Sequence, residues 1–141
     1  MEFVSYHRPK TIAALYEALR QEPAEAVFLS GCTDVLVQDR ASEKFAGKAA
    51  FDLTAIHELK QITEEPDVVR IGAELTHGAI AECNILQRYA PPLCAACSQV
   101  GAAQLRNRAT ISGNIGNASP AGDSLGPLVA LDATVELDYL G

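Results

Sequence analysis

A run of small residues follows a short apolar stretch near residue 30 and has the composition of a phosphate-binding turn. It reads Leu29-Ser30-Gly31-Cys32-Thr33-Asp34-Val35. Consecutive backbone N–H groups at a strand end can form a concave nest for a phosphate or diphosphate. Gly31 would allow close approach of the ligand, and Thr33 offers a hydroxyl. The alternative is an ordinary strand-to-helix turn with Thr33 or Asp34 as the helix cap, because neither GxGxxG nor a P-loop lysine is present.

A second polar segment covers residues 110–123. It reads Thr110-Ile111-Ser112-Gly113-Asn114-Ile115-Gly116-Asn117-Ala118-Ser119-Pro120-Ala121-Gly122-Asp123. Two hydroxyls precede the first glycine, two asparagines follow, and a carboxylate ends the segment. Buried polar groups need partners, which a polar ligand would supply. A structural loop bonded to itself is the alternative, although a long loop in a compact domain is more often functional.

Two cysteines have the spacing of a redox or zinc motif. They are Cys94 and Cys97, in Cys94-Ala95-Ala96-Cys97. A zinc site needs two further ligands, and Cys32 and Cys83 have no paired spacing. A structural role in a helix is therefore favoured, and no metal site is predicted.

Histidines and arginines give weaker signals. No serine or cysteine accompanies His57 or His77 in a triad-like motif, so a surface or packing role is favoured for both. Arg106 and Arg108 form a small basic cluster that could contact phosphate or a partner subunit. Hydrogen bonding within a loop explains these two arginines equally well.

The elements that would position these segments alternate between strand and helix over the first 55 residues. Strands are predicted from Met1 to His7, over Ala26–Leu29 and over Ala49–Leu53. Thr11 is expected to cap a helix that runs to about Gln21, since apolar residues recur at helical spacing. This order predicts a small βαβ unit with parallel strands.

The pattern of predicted elements changes near residue 56, and this change predicts a boundary between subdomains 1–55 and 56–141. Glu58–Thr63 and Val68–Ile71 are expected to form a hairpin. Helices are predicted from Thr76 to about Cys83 and within residues 85–100, where Pro91 and Pro92 start or interrupt the second one. Residues 101–123 are rich in Gly, Asn, Ser and small residues, and a loop is expected over residues 110–123. The alternation over residues 133–139 predicts a half-buried strand.

Composition narrows the class of protein. The chain has 141 residues, 48% of them hydrophobic and 21% charged, which is typical of a globular domain. The net charge of −7 disfavours general binding to nucleic acid or anionic membranes. No stretch is long enough to span a membrane, and the first residues do not resemble a secretory signal. A cytoplasmic location with reduced cysteines is therefore predicted.

The two polar segments, in this order, resemble the FAD-binding subunit of molybdenum hydroxylases, the family of xanthine dehydrogenase and carbon monoxide dehydrogenase. Residues 105–114 and 117–123 match the second flavin loop of that family, and residues 30–34 match its first loop, usually Ala-Gly-Gly-Thr-Asp. The resemblance covers essentially the whole chain. It implies an α/β FAD-binding fold of the vanillyl-alcohol-oxidase-like (PCMH) type, built from two small α/β subdomains with FAD between them.

The resemblance also implies a set of cofactor contacts and some departures from the family pattern. The contacts are the first loop and parts of the second: Leu29, Ser30, Gly31, Cys32, Thr33, Asp34, Val35, Thr110, Ile111, Ser112, Gly113, Asn114, Asn117 and Asp123. N–H groups near Gly31 and Gly113 suit diphosphate oxygens, and the amides and Asp123 suit hydroxyls and ring edges. Cys32 and Ser112 replace common glycines, and a β-carbon at Cys32 penalises positive φ.

Length is the largest departure, because the flavin subunits of the family are about twice as long. The chain is therefore expected to be truncated, with an incomplete second subdomain and without the family's C-terminal domain. By itself it is expected to be inactive and to bind FAD weakly or not at all. An unpaired edge at residues 134–139 would favour self-association.

The resemblance implies an oxidoreductase subunit with no catalytic acid or base of its own. Molybdopterin and 2Fe-2S clusters are expected on partner subunits, and electrons would pass through FAD to NAD+ or another acceptor. Two alternatives remain open. One is a flavin-dependent oxidase of the related fold, and the other is a non-catalytic remnant that has lost flavin.

Overall fold

A three-stranded parallel sheet forms the first part of the computed structural model, which describes residues 2–42 and 44–139. The strands are β1 (Ser5–His7), β2 (Ala26–Leu29) and β3 (Ala49–Asp52), in the order β1-β3-β2. Helix α1 (Ile12–Gln21) connects β1 to β2, and α2 (Val35–Ser42) lies between β2 and β3. The predicted βαβ unit with parallel strands is confirmed.

Helix α1 begins where the sequence predicts. The hydroxyl of Thr11 accepts a hydrogen bond from the N–H of Ala14 at 3.1 Å, which satisfies one of the free donors of the first turn. Leu15 then packs with Phe51 of β3 and with Ile56 in the first core. Burying this apolar stripe against the sheet supplies most of the stability of such a helix.

A short antiparallel hairpin follows the sheet. Its strands are β4 (Ile62–Glu64) and β5 (Val69–Ile71), and the N–H of Glu65 donates to the carbonyl of Val68 at 2.9 Å within the turn. The hairpin is as predicted, but its first strand starts later, because Glu58–Lys60 forms a single 3₁₀ turn.

Six helices complete the described residues and enclose a second core. They are α3 (His77–Glu82), α4 (Asn84–Tyr89), α5 (Pro91–Gln99), α6 (Ala103–Arg106), α7 (Ile111–Asn117) and α8 (Leu125–Ala130). The second core consists of buried apolar residues, namely Leu75, Ile80, Leu86, Leu93, Cys94, Cys97 and Ile111. Within the described residues no helix has the length and apolar character needed to cross a membrane.

Residues 111–117 form α7, so the predicted loop over residues 110–123 is wrong in this part. Glycine and asparagine are poor helix formers, yet α7 is stabilised by an N-terminal cap and by two apolar side chains. The hydroxyl of Thr110 caps it, and Ile111 and Ile115, one helical turn apart, both pack on the second core. Tertiary packing therefore overrides the low helix propensity of this segment.

The predicted strand over residues 133–139 is also wrong, because this part of the chain pairs with no strand of the described residues. Its acidic side chains hold it to the rest of the chain, since Arg70 binds Glu136 and Tyr16 hydrogen-bonds to Asp138. The apolar side faces solvent, and Leu137 is 85% exposed. Alternation predicts a strand only where a pairing edge is available.

The two sheets lie on opposite sides of residue 55 in the sequence, and two separate cores are formed, although the first core also includes Ile56. A boundary at this position is compatible with that arrangement. The division into two subdomains stays a prediction, as does self-association through residues 134–139.

Candidate functional site

Gly31 brings the first segment into direct contact with the stretch that precedes α7. It is buried, and a β-carbon at this position would lie 2.1 Å from the carbonyl oxygen of Arg108. No side chain larger than hydrogen fits against that backbone. The absence of a side chain at Gly31 therefore lets two chain segments approach each other, and the expected approach of a ligand stays a prediction.

The first segment still offers backbone donors. The N–H groups of Gly31, Cys32 and Thr33 donate to no acceptor within residues 2–42 and 44–139. Cys32 has a φ of 59°, in the left-handed region where its β-carbon is unfavourable, as expected from the sequence. Successive backbone N–H groups in a turn can form an anion-binding nest, so these donors are suited to an anionic ligand.

The ends of the first segment are engaged with the protein. Leu29 is buried at the end of β2, and the hydroxyl of Ser30 lies 2.5 Å from the hydroxyl of Thr110. Asp34 accepts a hydrogen bond from the amide of Asn117 at 3.1 Å. Val35 begins α2. The two predicted segments, 80 residues apart in sequence, are therefore adjacent in the fold.

The N–H groups at the start of α7 already have protein acceptors. Ile111 donates to the carbonyl of Leu75 at 3.0 Å and Ser112 to that of Ala73 at 3.2 Å. Gly113 donates to the hydroxyl of Thr110 at 3.2 Å. The backbone donor of Gly113, which the sequence suggested for a diphosphate, thus forms part of the helix cap.

Side chains of the second segment divide into engaged and free groups. The amide oxygen of Asn114 accepts a hydrogen bond from the buried Ser124 hydroxyl at 2.6 Å. Both ends of the Asn117 amide are bonded, to Asp34 and to Gln38. The carboxylate of Asp123, in contrast, is exposed and has no hydrogen-bond partner among the described residues.

Sequence reasoning missed Glu74, which joins the two segments. Only 3% of this residue is exposed, and one carboxylate oxygen accepts hydrogen bonds from Ser30 at 2.5 Å and Ser112 at 3.4 Å. Burial raises the pKa of this carboxyl above its ordinary value, although the two hydroxyls oppose the shift. The available signal was an acidic residue within the otherwise apolar stretch Ile71–Leu75.

Two open clefts meet at Gly31 and Arg108. The first cleft has a volume of about 490 Å³ and is lined by Leu29, Gly31, Cys32, Thr33, Val35, Gln104, Leu105 and Arg108. The second cleft has a volume of about 390 Å³, and its lining includes Gly31, Thr54, Lys60, Glu74, Arg108 and Thr110. Residues 31–33 line the first cleft, and the buried acid Glu74 is among the residues that line the second.

The two arginines predicted as a cluster have separate roles. The Arg106 guanidinium donates to the carbonyls of Val100 and Gly101, at 3.2 and 2.8 Å, and so closes the end of α5. That of Arg108 donates weakly to the carbonyl of Gly31, at 3.4 Å from two nitrogens. Arg108 therefore places a positive charge where the clefts meet, beside the free N–H groups.

The cysteine pair lies in the second core behind this site. Cys97 and His77 are both fully buried, with 3.3 Å between the sulfur and Nδ1 of the imidazole. Burial raises the pKa of the Cys97 thiol to about 12 and lowers that of His77. Cys94 donates to the carbonyl of Ile80 at 3.3 Å. His57, by contrast, lies at the surface, so both histidines have the surface or packing positions expected.

Comparison with known proteins identifies the family. The family model described as "FAD binding domain in molybdopterin dehydrogenase" matches residues 2–140. This chain belongs to that family. The FAD-binding subunit of xanthine dehydrogenase from Escherichia coli O157:H7 is 38% identical over 138 residues, which cover 96% of this chain and 46% of the relative. The carbon monoxide dehydrogenase medium chain of Hydrogenophaga pseudoflava is 31% identical and is covered to the same extent, 46%.

Solved structures agree with the sequence comparison. A carbon monoxide dehydrogenase structure from Hydrogenophaga pseudoflava superposes with a TM-score of 0.76 at 31% identity, covering 87% of this chain and 42% of that one. The resemblance stated from the two segments, the α/β fold of PCMH type and FAD as the cofactor of the family are thereby confirmed. The chain spans about half the length of the curated relatives it matches.

Proposed function

We propose that this chain is the FAD-binding component of a molybdenum-containing hydroxylase. One observation carries the proposal: the N–H groups of Gly31, Cys32 and Thr33 have no protein acceptor among the described residues, and these three residues line an open cleft beside Arg108. Donors of this kind suit the oxygens of a diphosphate. In a member of a family of FAD-binding domains, the diphosphate of FAD is the natural occupant.

The residues present fit FAD in three places. The N–H groups of residues 31–33 and the Thr33 hydroxyl would bind diphosphate oxygens, with the guanidinium of Arg108 as a nearby positive charge. The free carboxylate of Asp123 would accept hydrogen bonds from hydroxyl or ring N–H donors of the cofactor. Thr110, Ser112, Gly113, Asn114 and Asn117 would support these groups through the bonds they make within the protein.

Bound FAD would supply reversible one- and two-electron transfer, the chemistry of a relay between an iron–sulfur cluster and an acceptor. The protein's own part is to bind and orient the cofactor. No side chain of the site is required to act as an acid or base on the hydroxylated substrate. We place molybdopterin and 2Fe-2S clusters on partner subunits, with NAD+ or another molecule as the acceptor.

A ligand titration tests the cofactor assignment. Calorimetry of this chain with FAD, ADP and riboflavin should show weak binding of FAD, with a Kd on the order of 0.1 mM, or about −5.5 kcal/mol. ADP should compete with FAD, because it carries the same diphosphate, whereas riboflavin should not bind measurably. The proposal would be contradicted if the folded chain did not bind FAD, or if it bound riboflavin as tightly as FAD.

Recovery from the native host tests the assembly. A tagged protein is expected to copurify with molybdenum and with iron and sulfide in the ratio of 2Fe-2S clusters. Flavin recovered without either metal would instead favour the alternative of an independent flavin oxidase.

A further inference from the structure

The buried acid Glu74 lies where the first segment meets α7. Its carboxylate oxygen Oε1 accepts a hydrogen bond from the Ser30 hydroxyl at 2.5 Å and a longer one from the Ser112 hydroxyl at 3.4 Å. The backbone of Glu74 is fixed from the other side, because its N–H donates to the carbonyl of Leu59 at 2.8 Å. The carboxylate is thus held in place and joins residues 30 and 112.

The hydrogen bonds of this cluster all donate in one direction, toward Glu74. Ser30 has a single hydroxyl proton and uses it in the hydrogen bond to Glu74, so the hydroxyl of Thr110, 2.5 Å away, must donate to Ser30. Thr110 then keeps lone pairs free to accept the N–H of Gly113 at 3.2 Å. The relay therefore runs from the first turn of α7 to the carboxylate, and its direction depends on the charge of Glu74.

We infer that Glu74 is a positioning residue for the bound cofactor: its ionised carboxylate holds Ser30 against Thr110 and so fixes the first segment relative to α7. The cofactor part of this inference rests on the proposed function, whereas the hydrogen-bond relay does not. Protonation of Glu74 leaves a neutral acceptor, which bonds the Ser30 hydroxyl less strongly than the ionised carboxylate does. The spacing of the free N–H groups near residue 31 then loses its support.

Several charges surround this carboxyl and act in opposite directions. Burial has the largest effect and raises the pKa of Glu74; the Lys60 ammonium lowers the pKa and the Asp52 carboxylate raises it. Arg108 lines the same cleft, and the Cys32 thiol lies within electrostatic range. A matched variant is therefore needed to separate Glu74 from these groups.

The decisive measurement is the Kd for FAD between pH 8 and pH 5 in the wild type, Glu74→Gln and Glu82→Gln. The last variant removes the same charge from an exposed position on α3. Wild type and Glu82→Gln should lose affinity as the pH falls. Glu74→Gln resembles the protonated acid and should bind FAD about 5-fold more weakly at pH 8, because a neutral acceptor bonds less strongly than a charged one. Since its amide does not titrate, this variant should show no such loss of affinity as the pH falls. A Glu74→Gln curve that follows the wild type would overturn the inference.

Amide hydrogen exchange without cofactor separates this inference from the proposed function. The Gly113 N–H should exchange faster in Glu74→Gln than in the wild type and in Glu82→Gln. If no protein binds FAD, the proposed function fails, and the exchange result still decides the role of Glu74. Equal protection of Gly113 in all three proteins would show that the relay does not depend on the carboxylate.

A second substitution tests the connection through Ser30. Ser30→Ala should weaken FAD binding by about as much as Glu74→Gln, and the double variant should be no weaker than either single one, because both remove one relay. Additive losses would mean that the two residues act separately and would contradict the inference.

Discussion

The two segments of the candidate site offer different groups to a ligand: the first offers backbone N–H groups, and the second offers a side chain. In the first, the backbone donors of residues 31–33 have no acceptor among the described residues, whereas the side chains of Ser30, Cys32 and Asp34 bond within the protein. In the second, the backbone donors at the start of α7 have protein acceptors, and the free group is the side chain of Asp123. A backbone nest suits an anion, and a carboxylate suits a hydroxyl or an N–H. The difference suggests that each segment binds a different part of a dinucleotide.

The same comparison explains why the segments must touch. Free N–H groups keep their spacing only if the surrounding backbone is fixed, and the contact between Gly31 and the carbonyl of Arg108 fixes it. The Ser30–Thr110 hydrogen bond makes a second connection, and the Asn117–Asp34 bond makes a third. The rigidity of the first segment therefore depends on the second one.

The largest effect is expected from Gly31→Ala, which breaks this contact. The new β-carbon would meet the carbonyl of Arg108 at 2.1 Å, so the segments must separate, at a cost of about 3 kcal/mol or more. Chemical denaturation should show the loss of free energy of unfolding. As a control, Gly116→Ala has open space around the new atom and should stabilise α7 by roughly 0.5–1 kcal/mol. Equal effects in both variants would show that the close contact is not formed.

A smaller effect is expected at the free group of the second segment. Asp123→Ala should weaken FAD binding by about 1.5–3 kcal/mol, the range for a hydrogen bond to a charged group, and should leave the free energy of unfolding unchanged. Asp67→Ala, at an exposed turn position, is the control. Calorimetric titration of FAD compares the three proteins, and an Asp123→Ala protein with wild-type affinity would remove this residue from the site.

The core behind the second segment should respond to pH through His77. Burial lowers its folded pKa, opposed by the Asp123 carboxylate, so the unfolded chain binds the proton first as the pH falls. The contribution to stability is complete above about pH 6.5, the ordinary pKa. It is lost below that pH at up to about 1.4 kcal/mol per pH unit until the folded pKa is reached.

Denaturation between pH 7 and pH 5 measures this slope in the wild type and in His57→Gln, whose lost imidazole is exposed. Both should show it, and His77→Gln should not. Should His77→Gln fail to fold, NMR titration of the wild-type imidazole gives the answer directly. An imidazole that titrates at its ordinary pKa would contradict the expectation.

The sequence predicted the elements whose signals are local. Thr11 and Thr76 cap the helices that follow them, and the apolar run of β2 pairs in a parallel sheet as expected. The sequence-based prediction failed where contacts with distant residues determine the local structure. Residues 111–117 are helical because Ile111 and Ile115 pack on a core formed elsewhere, and residues 133–139 have no strand partner within the described residues.

The site was predictable as two segments but not as a connected structure. Both segments lie together, as the resemblance implied, yet the reason for Gly31 is a backbone 77 residues away. Glu74 was missed because its one local signal, an acid within an apolar stretch, does not say which groups it contacts. Its role comes from hydroxyls at residues 30, 110 and 112, which only the fold brings within range.

The smallest effect is expected at Asn117, where two roles can be separated. The family resemblance suggests a direct cofactor contact, but both ends of the amide are bonded, to Asp34 and Gln38. If Asn117 only connects the two segments, Asn117→Ala should lose about 0.5–1 kcal/mol of free energy of unfolding. It should also weaken FAD binding roughly 2- to 5-fold, because the free N–H groups are then held less firmly. Asp34→Ala should cause the same losses, and the double variant should add little. Denaturation and FAD titration of the three variants decide the question. A loss of affinity of 10-fold or more in Asn117→Ala, with stability unchanged and Asp34→Ala unaffected, would instead identify Asn117 as a direct ligand of the cofactor.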